Sequence, residues 1–493
     1  MSDLQFAPLN AAELIITGPV ALQEWREKYR QKVPGYQFTP QFKWHKWDGT
    51  WAPGKFCRET ETGWELRCSR GLLRRIMTDF EIGVAFQVAR LAEIESFLAG
   101  RPEFTQLRDF QVRVFHRVLA EGWGRVAFAT NAGKGAVMAE LAAFGAWRGD
   151  PVLIMCDELS VFDALLGELK QWGKFKINLI NSGVKRAPVG GVSLAMVQTL
   201  ARRIKDAGNA PWIEYLKSVR MLLLDEADKS DAASWGKILA HCKNTDWRAG
   251  FSGTFATDET NLYKSLVMDE LTGPTVDNVH NMELVDRGIS ARPTIEIYGH
   301  DVTPALGILP AEWFDLEPAA RRALAYQRCI TYSETRHQFI ASLVRPDTRT
   351  VIIVDKIDHG LSMTATVPGA VFLDGSAAEG ERNSVLDDFT AGTTLVLVVT
   401  KILDRGSNRL GHAADIIFAS SEGSSTQVLQ RIGRGLRRGG GKDSIRIVDV
   451  IDRVRSQRGD KKTANAGAFF TSAGRRRLEV YAHEGFDVHI KQG

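Results

Sequence analysis

The chain has 493 residues, 44% hydrophobic and 25% charged, as expected of a globular protein with full cores and about two to four domains. No run of about 18 apolar residues could cross a bilayer, and the opening MSDLQFAPLN lacks the basic region of a secretory signal. Five scattered cysteines (Cys57, Cys68, Cys156, Cys242, Cys329) without a CxxC pair argue against a zinc module or disulfide framework and fit a reducing cytoplasm, and a net charge of +4 is too mild to demand a nucleic acid.

Residues 1–100 show no helix–strand alternation and carry an aromatic-basic stretch, YQFTPQFKWHKWDGTWAPGKFC. Within it, WDGTW reads as a hairpin, with Asp48-Gly49 supplying the positive φ of a tight turn. Trp44, Trp47 and Trp51 with Lys43, Lys46 and Lys55 could stack bases and neutralise phosphates. A small domain also needs apolar burial, so at least two of the three tryptophans are expected in its core, with the lysines left as nucleic-acid contacts.

From about residue 105 the pattern changes. RVAFAT, PVLIMC, VSLAMV and VRMLLL are short buried-strand candidates separated by helix-length segments. After a looser stretch over 285–345 the series restarts with RTVIIVD, GAVFLDG, TTLVLVVT, AADIIFAS and SIRIVDVI. Such alternation predicts an α/β fold with two tandem parallel-sheet domains, over 101–285 and 286–460, behind a small α+β domain over 1–100. The Gly-, Arg- and Lys-rich tail, 461–493, is expected to be loose in part.

Three stretches carry chemistry. In AFATNAGKGAVMAELA a strand leads through Gly133 and Lys134 into a helix, the context in which backbone N–H groups cradle a phosphate. The Ser or Thr hydroxyl that normally follows the lysine is replaced by Gly135. About ninety residues later MLLLDEADKS delivers Asp225 and Glu226 at a strand end, where one carboxylate can hold magnesium and the other polarise water. Alone, that pair could equally be a strand running into an acidic helix cap. In QVLQRIGRGLRR, Arg431, Arg434 and Arg437 fall three apart, on one side of a helix, suited either to phosphoryl-transfer charge or to a nucleic-acid surface.

In this order the stretches resemble the superfamily 2 helicases and translocases, over roughly residues 100–455. LRDFQ (107–111) is similar to the LRxYQ element that opens their first motor domain; the resemblance implies that Gln111 reads adenine, with Phe110 or Arg108 nearby. TNAGKG resembles their first motif, making Thr130, Asn131, Ala132, Gly133, Lys134 and Gly135 nucleotide-binding, and DEAD (225–228) matches the second, with Asp225 and Glu226 on magnesium. FSGT (251–254) resembles the third motif and MVQTL (196–200) the motif that grips a backbone, implicating Thr254, Gln198 and Thr199 in nucleic-acid contact. DRGSN (404–408) resembles the fifth, with Gly406 and Asn408 close to nucleotide, and QRIGRGLRR the sixth, with Gln430, Arg434 and Arg437 catalytic and the two arginines as arginine fingers.

Within that superfamily the chain resembles the phage UvsW-type DNA helicases, with XPB-like and bacterial restriction-type motors as cousins. That implies two RecA-like domains, ATP and Mg2+ as cofactors, and a DNA partner (single-stranded, duplex or branched), with RNA a further candidate. It also implies action in replication, recombination or repair in a bacterial or phage-infected cytoplasm. The sequence departs from the family at Gly135, where water is expected to take the lost hydroxyl's place on the metal, and at DELSV, where Asp157 and Glu158 would repel a phosphate backbone. Two other readings remain open at this stage, a non-hydrolysing nucleotide-dependent DNA scaffold and the motor subunit of a restriction or remodelling complex.

Overall fold

The computed structural model describes residues 4–82, 91–206, 208–307, 311–400, 411–421, 425–455 and 461–491. The N-terminal region is built on an antiparallel sheet in the order β1-β2-β6-β5, from β1 (Gln5–Pro8), β2 (Glu13–Gly18), β5 (Phe56–Thr60) and β6 (Gly63–Ser69). Two short strands, β3 (Gln31–Lys32) and β4 (Thr50–Trp51), pair with each other. WDGTW is therefore a bend and not a hairpin. Gly49 does take a left-handed φ of 80°, and the Asp48 carboxylate accepts from Thr50 N at 2.9 Å, but the strand it leads into pairs far back along the chain.

The core of this region holds Leu14, Ile16, Trp25, Leu66 and Ile76, and it takes in Leu266 from the helix Asp258–Thr272. Of the three tryptophans, at least two of which were expected there, Trp51 alone packs against that core. Trp47 is half-buried with its indole N–H on Thr50 O at 2.7 Å, and Trp44 is 67% exposed.

Seven strands follow: β7 (Trp123–Phe128), β8 (Val152–Cys156), β9 (Ile177–Ile180), β10 (Val192–Met196), β11 (Met221–Asp225), β12 (Trp247–Ser252) and β13 (Thr275–Val279). They form one parallel sheet in the order β13-β7-β12-β11-β8-β10-β9. β7, β8, β11 and β12 are buried along their whole length, which is why most of them read as unbroken apolar runs.

A second seven-stranded parallel sheet has the order β16-β17-β15-β18-β19-β14-β20. Its strands are β14 (Arg292–Asp301), β15 (Thr350–Ile353), β16 (Ala370–Leu373), β17 (Val396–Val399), β18 (Asp415–Phe418), β19 (Ser444–Arg453) and β20 (Asp487–Lys491). Two parallel sheets of this kind are tandem RecA-like domains behind a mixed α/β N-terminal region. Contacts divide the chain into two compact units, one covering residues 1–128 and 132–279, the other 129–131 and 280–493.

The tail is not loose. Its helix, Lys461–His483, places Arg477 and Tyr481 on the buried Asp449 at 2.9 and 2.7 Å, and β20 then pairs with β14. In the same unit Arg336 and Asp452, both fully buried, form a bidentate pair at 2.8 and 3.1 Å, and the remaining guanidinium nitrogen donates to Ala419 O at 2.7 Å.

Candidate nucleotide and nucleic-acid site

β7 ends at Phe128, and the chain turns through 130–133 into the helix Lys134–Trp147. Two residues of the turn are left-handed, Asn131 at φ 77° and Gly133 at φ 76°. No side chain fits at Gly133, where a Cβ would lie 2.5 Å from Gln111 Nε2. Gln111, buried in the helix Asp109–Glu121, donates from Nε2 to Ala132 O at 2.8 Å and to Gly133 O at 3.3 Å, and its Oε1 accepts from Arg108 N at 2.9 Å. The LRDFQ element is thereby tied to the loop. Arg108 is exposed, with Nη1 3.9 Å from the position of that same Cβ. Phe110 is 1% exposed, and its ring packs 6.3 Å from that of Phe128 in the core.

Lys134 Nζ lies 2.5 Å from Asp225 Oδ1 and 3.0 Å from Glu226 Oε1. Burial opposes the lysine's charge, but the two carboxylates more than offset it and hold the ammonium above its ordinary value. Burial raises the carboxyl of Asp225 against the pull of Lys134. Asp225 Oδ2 is buried and has no hydrogen-bond partner among the described residues. A buried carboxylate oxygen left without a donor is costly, and a magnesium ion or its bound water satisfies such a group. The residues present therefore fit the metal of a bound nucleotide. Glu226 adopts a left-handed φ of 52°, a backbone strain of the sort concentrated at functional sites.

A Cβ at Gly135 would lie 2.7 Å from Glu168 Cγ and 3.3 Å from its Cδ, so this side chain, from the helix Leu159–Trp172, fills the space that a Ser or Thr would use. Nothing in the sequence pointed to Glu168. Ser252, in FSGT, donates to Asp228, the last residue of DEAD, at 2.7 Å, which joins the ends of β12 and β11 by a side-chain bond. Burial, helped by Glu226, pushes the Asp228 carboxyl up to about 6. Thr254, two residues further on, is half-buried. Lys229 stands 3.0 Å from Asp157 and 3.5 Å from Glu158, which removes much of the repulsion expected at DELSV. Exposed Gln198 donates to Asp157 O at 2.6 Å, whereas Thr199 is buried.

In the second unit the helix Ser425–Gly435 carries Arg431 and Arg434. The three arginines do not share one helical side. The helix ends at Gly435, and the chain extends so that Ala291 N donates to Leu436 O at 2.7 Å and Arg437 bridges to Ser290. Arg431 is buried, while Arg434 and Arg437 are half-buried. Burial and the neighbouring Arg434 lower the pKa of Arg437. Gln430 lies on this helix, but its side chain, and all of Gly406 and Asn408, lie outside the described residues. In the N-terminal region Lys43 and Lys46 are exposed, the Lys46 ammonium sitting 5.6 Å over the Trp44 ring. Lys55 is instead engaged by Glu13. Burial opposes that carboxylate's charge, yet Lys55 and Arg67 hold it down at about 2.

Residues 334–439 match the family model of the helicase conserved C-terminal domain. The DNA-bound ATP-dependent type ISP restriction-modification enzyme LlaBIII superposes with a TM-score of 0.53 at 13% identity, over 78% of this chain and 31% of that one. The chain shares the fold of that enzyme, and its residues 334–439 carry the likeness to the helicase C-terminal domain. The UvsW structure of bacteriophage T4 is matched over 100% of this chain and 99% of that one, at 16% identity and a TM-score of 0.43. A Haloarcula marismortui protein assigned as the DNA 3'-5' helicase Rad25 is 24% identical over 162 residues, 32% of this chain. The match spans about a quarter (24%) of that relative's length. Among the described residues, no helix is long and apolar enough to cross a membrane.

Proposed function

We propose that the chain is an ATP-dependent DNA helicase or translocase of the UvsW-type branch, acting on duplex or branched DNA. The observation that carries this reading is the charge network in the first unit: Lys134 between Asp225 and Glu226, with Asp225 Oδ2 buried and without a donor among the described residues. Lys134 takes the β/γ-phosphates and Gln111 holds the loop in shape. Asp225 and Glu226 hold magnesium, which when bound neutralises phosphate charge, and Glu226 orients the attacking water. Arg434 and Arg437, with Gln430, act on the charge that develops in the transition state. The Ser252–Asp228 bond passes the state of the nucleotide site to FSGT and so to Thr254. Gln198, Lys43 and Lys46 contact the nucleic acid, with Trp44 offering a face to stack on. The domain boundaries at about 100, 285 and 460 belong to the same proposal.

The test is magnesium-dependent ATP turnover with single-stranded, duplex and forked DNA, and with RNA in parallel. DNA-stimulated turnover that Lys134→Ala or Glu226→Gln abolishes is the expected outcome. ATP binding with no turnover above the Glu226→Gln background on any nucleic acid favours the scaffold reading instead.

A further inference from the structure

Two histidines from distant parts of the sequence meet within the second unit. His280 stands just before the helix Asn281–Asp286, and His483 is the last residue of the helix Lys461–His483. Their ring centroids are 6.0 Å apart. Glu484 follows His483, and Gly485, at a left-handed φ of 70°, turns the chain into β20. One ligand atom from each of His280, His483 and Glu484 lies within 4.8 Å of the other two.

The carboxylate of this trio is held in place. Asn281 donates to Glu484 Oε2 twice, from its backbone N at 3.3 Å and from Nδ2 at 2.8 Å. Both donations fall on one oxygen, which leaves Oε1 for a ligand. Glu484 is 8% exposed and Asn281 5%. The other end of the same amide, Asn281 Oδ1, is buried and has no hydrogen-bond partner among the described residues. A buried acceptor left unsatisfied beside two imidazoles and a fixed carboxylate points to a bound group that brings its own donor. A metal ion carrying a water does so.

We infer that His280, His483 and Glu484 bind a zinc ion, whose fourth position is held by a water that donates to Asn281 Oδ1. Two imidazoles and one carboxylate suit zinc, whereas magnesium and calcium prefer sets made wholly of oxygen. Each ligand atom has to move inward by less than about 1 Å to reach zinc bond lengths of about 2.0–2.1 Å. Rotation of the exposed His483 side chain supplies much of that closure. Asn281 plays the part of the outer residue that orients a ligating carboxylate. The ion fastens the start of the helix Asn281–Asp286 to the end of the C-terminal helix, next to the turn into β20. The site shares no residue with the nucleotide site and does not depend on that reading.

The test is a calorimetric titration of zinc chloride into the full chain, stripped by a chelator and carrying no histidine tag. Magnesium is kept in the buffer to occupy all-oxygen sites. One zinc per chain should bind in the micromolar range, and zinc at about 100 times its dissociation constant should raise the melting temperature by about 5 °C. The His280→Gln/His483→Gln variant should lose affinity by at least about 100-fold, and Glu484→Gln, which keeps an acceptor for Asn281, by about tenfold. Both should melt with the parent chain when zinc is absent, which shows that the fold survives. His489→Gln, an exposed histidine outside the trio, should bind zinc as the parent does.

No zinc binding by the full chain, or unchanged binding by a folded double-histidine variant, would overturn the site. Unchanged binding by Glu484→Gln would overturn the three-ligand set and leave the ion to the imidazoles alone. A loss in His489→Gln as large as that in the double variant would move the ion to another cluster and overturn the assignment. None of these results bears on ATP turnover, so the motor reading stands or falls separately.

Discussion

Each of the two parallel-sheet units buries an ion pair near its sheet, and the pairs are built differently. Arg336–Asp452 in the second unit is closed: both carboxylate oxygens and all three guanidinium nitrogens have partners. Lys134–Asp225–Glu226 in the first is open, with an unsatisfied carboxylate oxygen and a partly exposed lysine. A closed pair has nothing to offer a ligand and serves the fold. An open one keeps a buried charge unbalanced in the ground state, a cost that is tolerable where a ligand completes the set.

The comparison is broken most sharply on its closed side. Arg336→Ala strands Asp452 in the core and should cost about 3–5 kcal/mol in urea unfolding, with Arg336→Lys a poor rescue because an ammonium cannot match the bidentate geometry. On the open side, Asp225→Asn should lower ATP turnover by at least about 100-fold while changing stability by less than about 1 kcal/mol. Equal destabilisation by the two variants would erase the distinction.

A smaller effect is expected at Gly135. Gly135→Thr must displace Glu168 and should cost about 1–3 kcal/mol, most of it recovered in the Gly135→Thr/Glu168→Ala double variant. A single variant that melts with the parent chain would show that Glu168 swings aside freely.

The smallest effect is on pH. Asp228 is raised from an ordinary 3.8 to about 6, so the folded chain holds a proton that the unfolded chain releases between those values. Its contribution favours folding at low pH and is lost as pH rises through about 6. Melting curves from pH 4 to 7 should show that loss, and Asp228→Asn should flatten it.

The sequence made the buried, uncharged parts of the fold legible. β7, β8, β10 and β11 announce themselves as apolar runs because both faces are covered. β9, β13 and β20 went unseen: each lies at a sheet edge, where polar residues meet solvent and the run is broken. β12 is central and was hidden by Arg248, whose buried guanidinium lies 3.9 Å over the Trp123 ring and donates to backbone carbonyls. β14 alternates between buried and half-exposed positions and vanished into the stretch read as loose.

At the site, Lys134, Asp225 and Glu226 were readable because phosphate chemistry fixes their types and order. Glu168 and Lys229 were not, since each acts on a neighbour that only the folded chain supplies. The tail was misjudged from composition, which counts Arg477 as a charge and cannot foresee the buried Asp449 that receives it.

The pairing of β20 with β14 also sets an order of events during synthesis. The first parallel sheet has all its strands once Val279 leaves the ribosome, so that unit can fold while the rest is still being made. The second sheet cannot: β14 is translated early, and one of its two neighbours, β20, follows every other described strand of that sheet. Until then a long strand edge stands open to any other chain, and a nascent polypeptide halted short of Asp487 should depend on chaperones in a way that one halted just beyond the first unit does not.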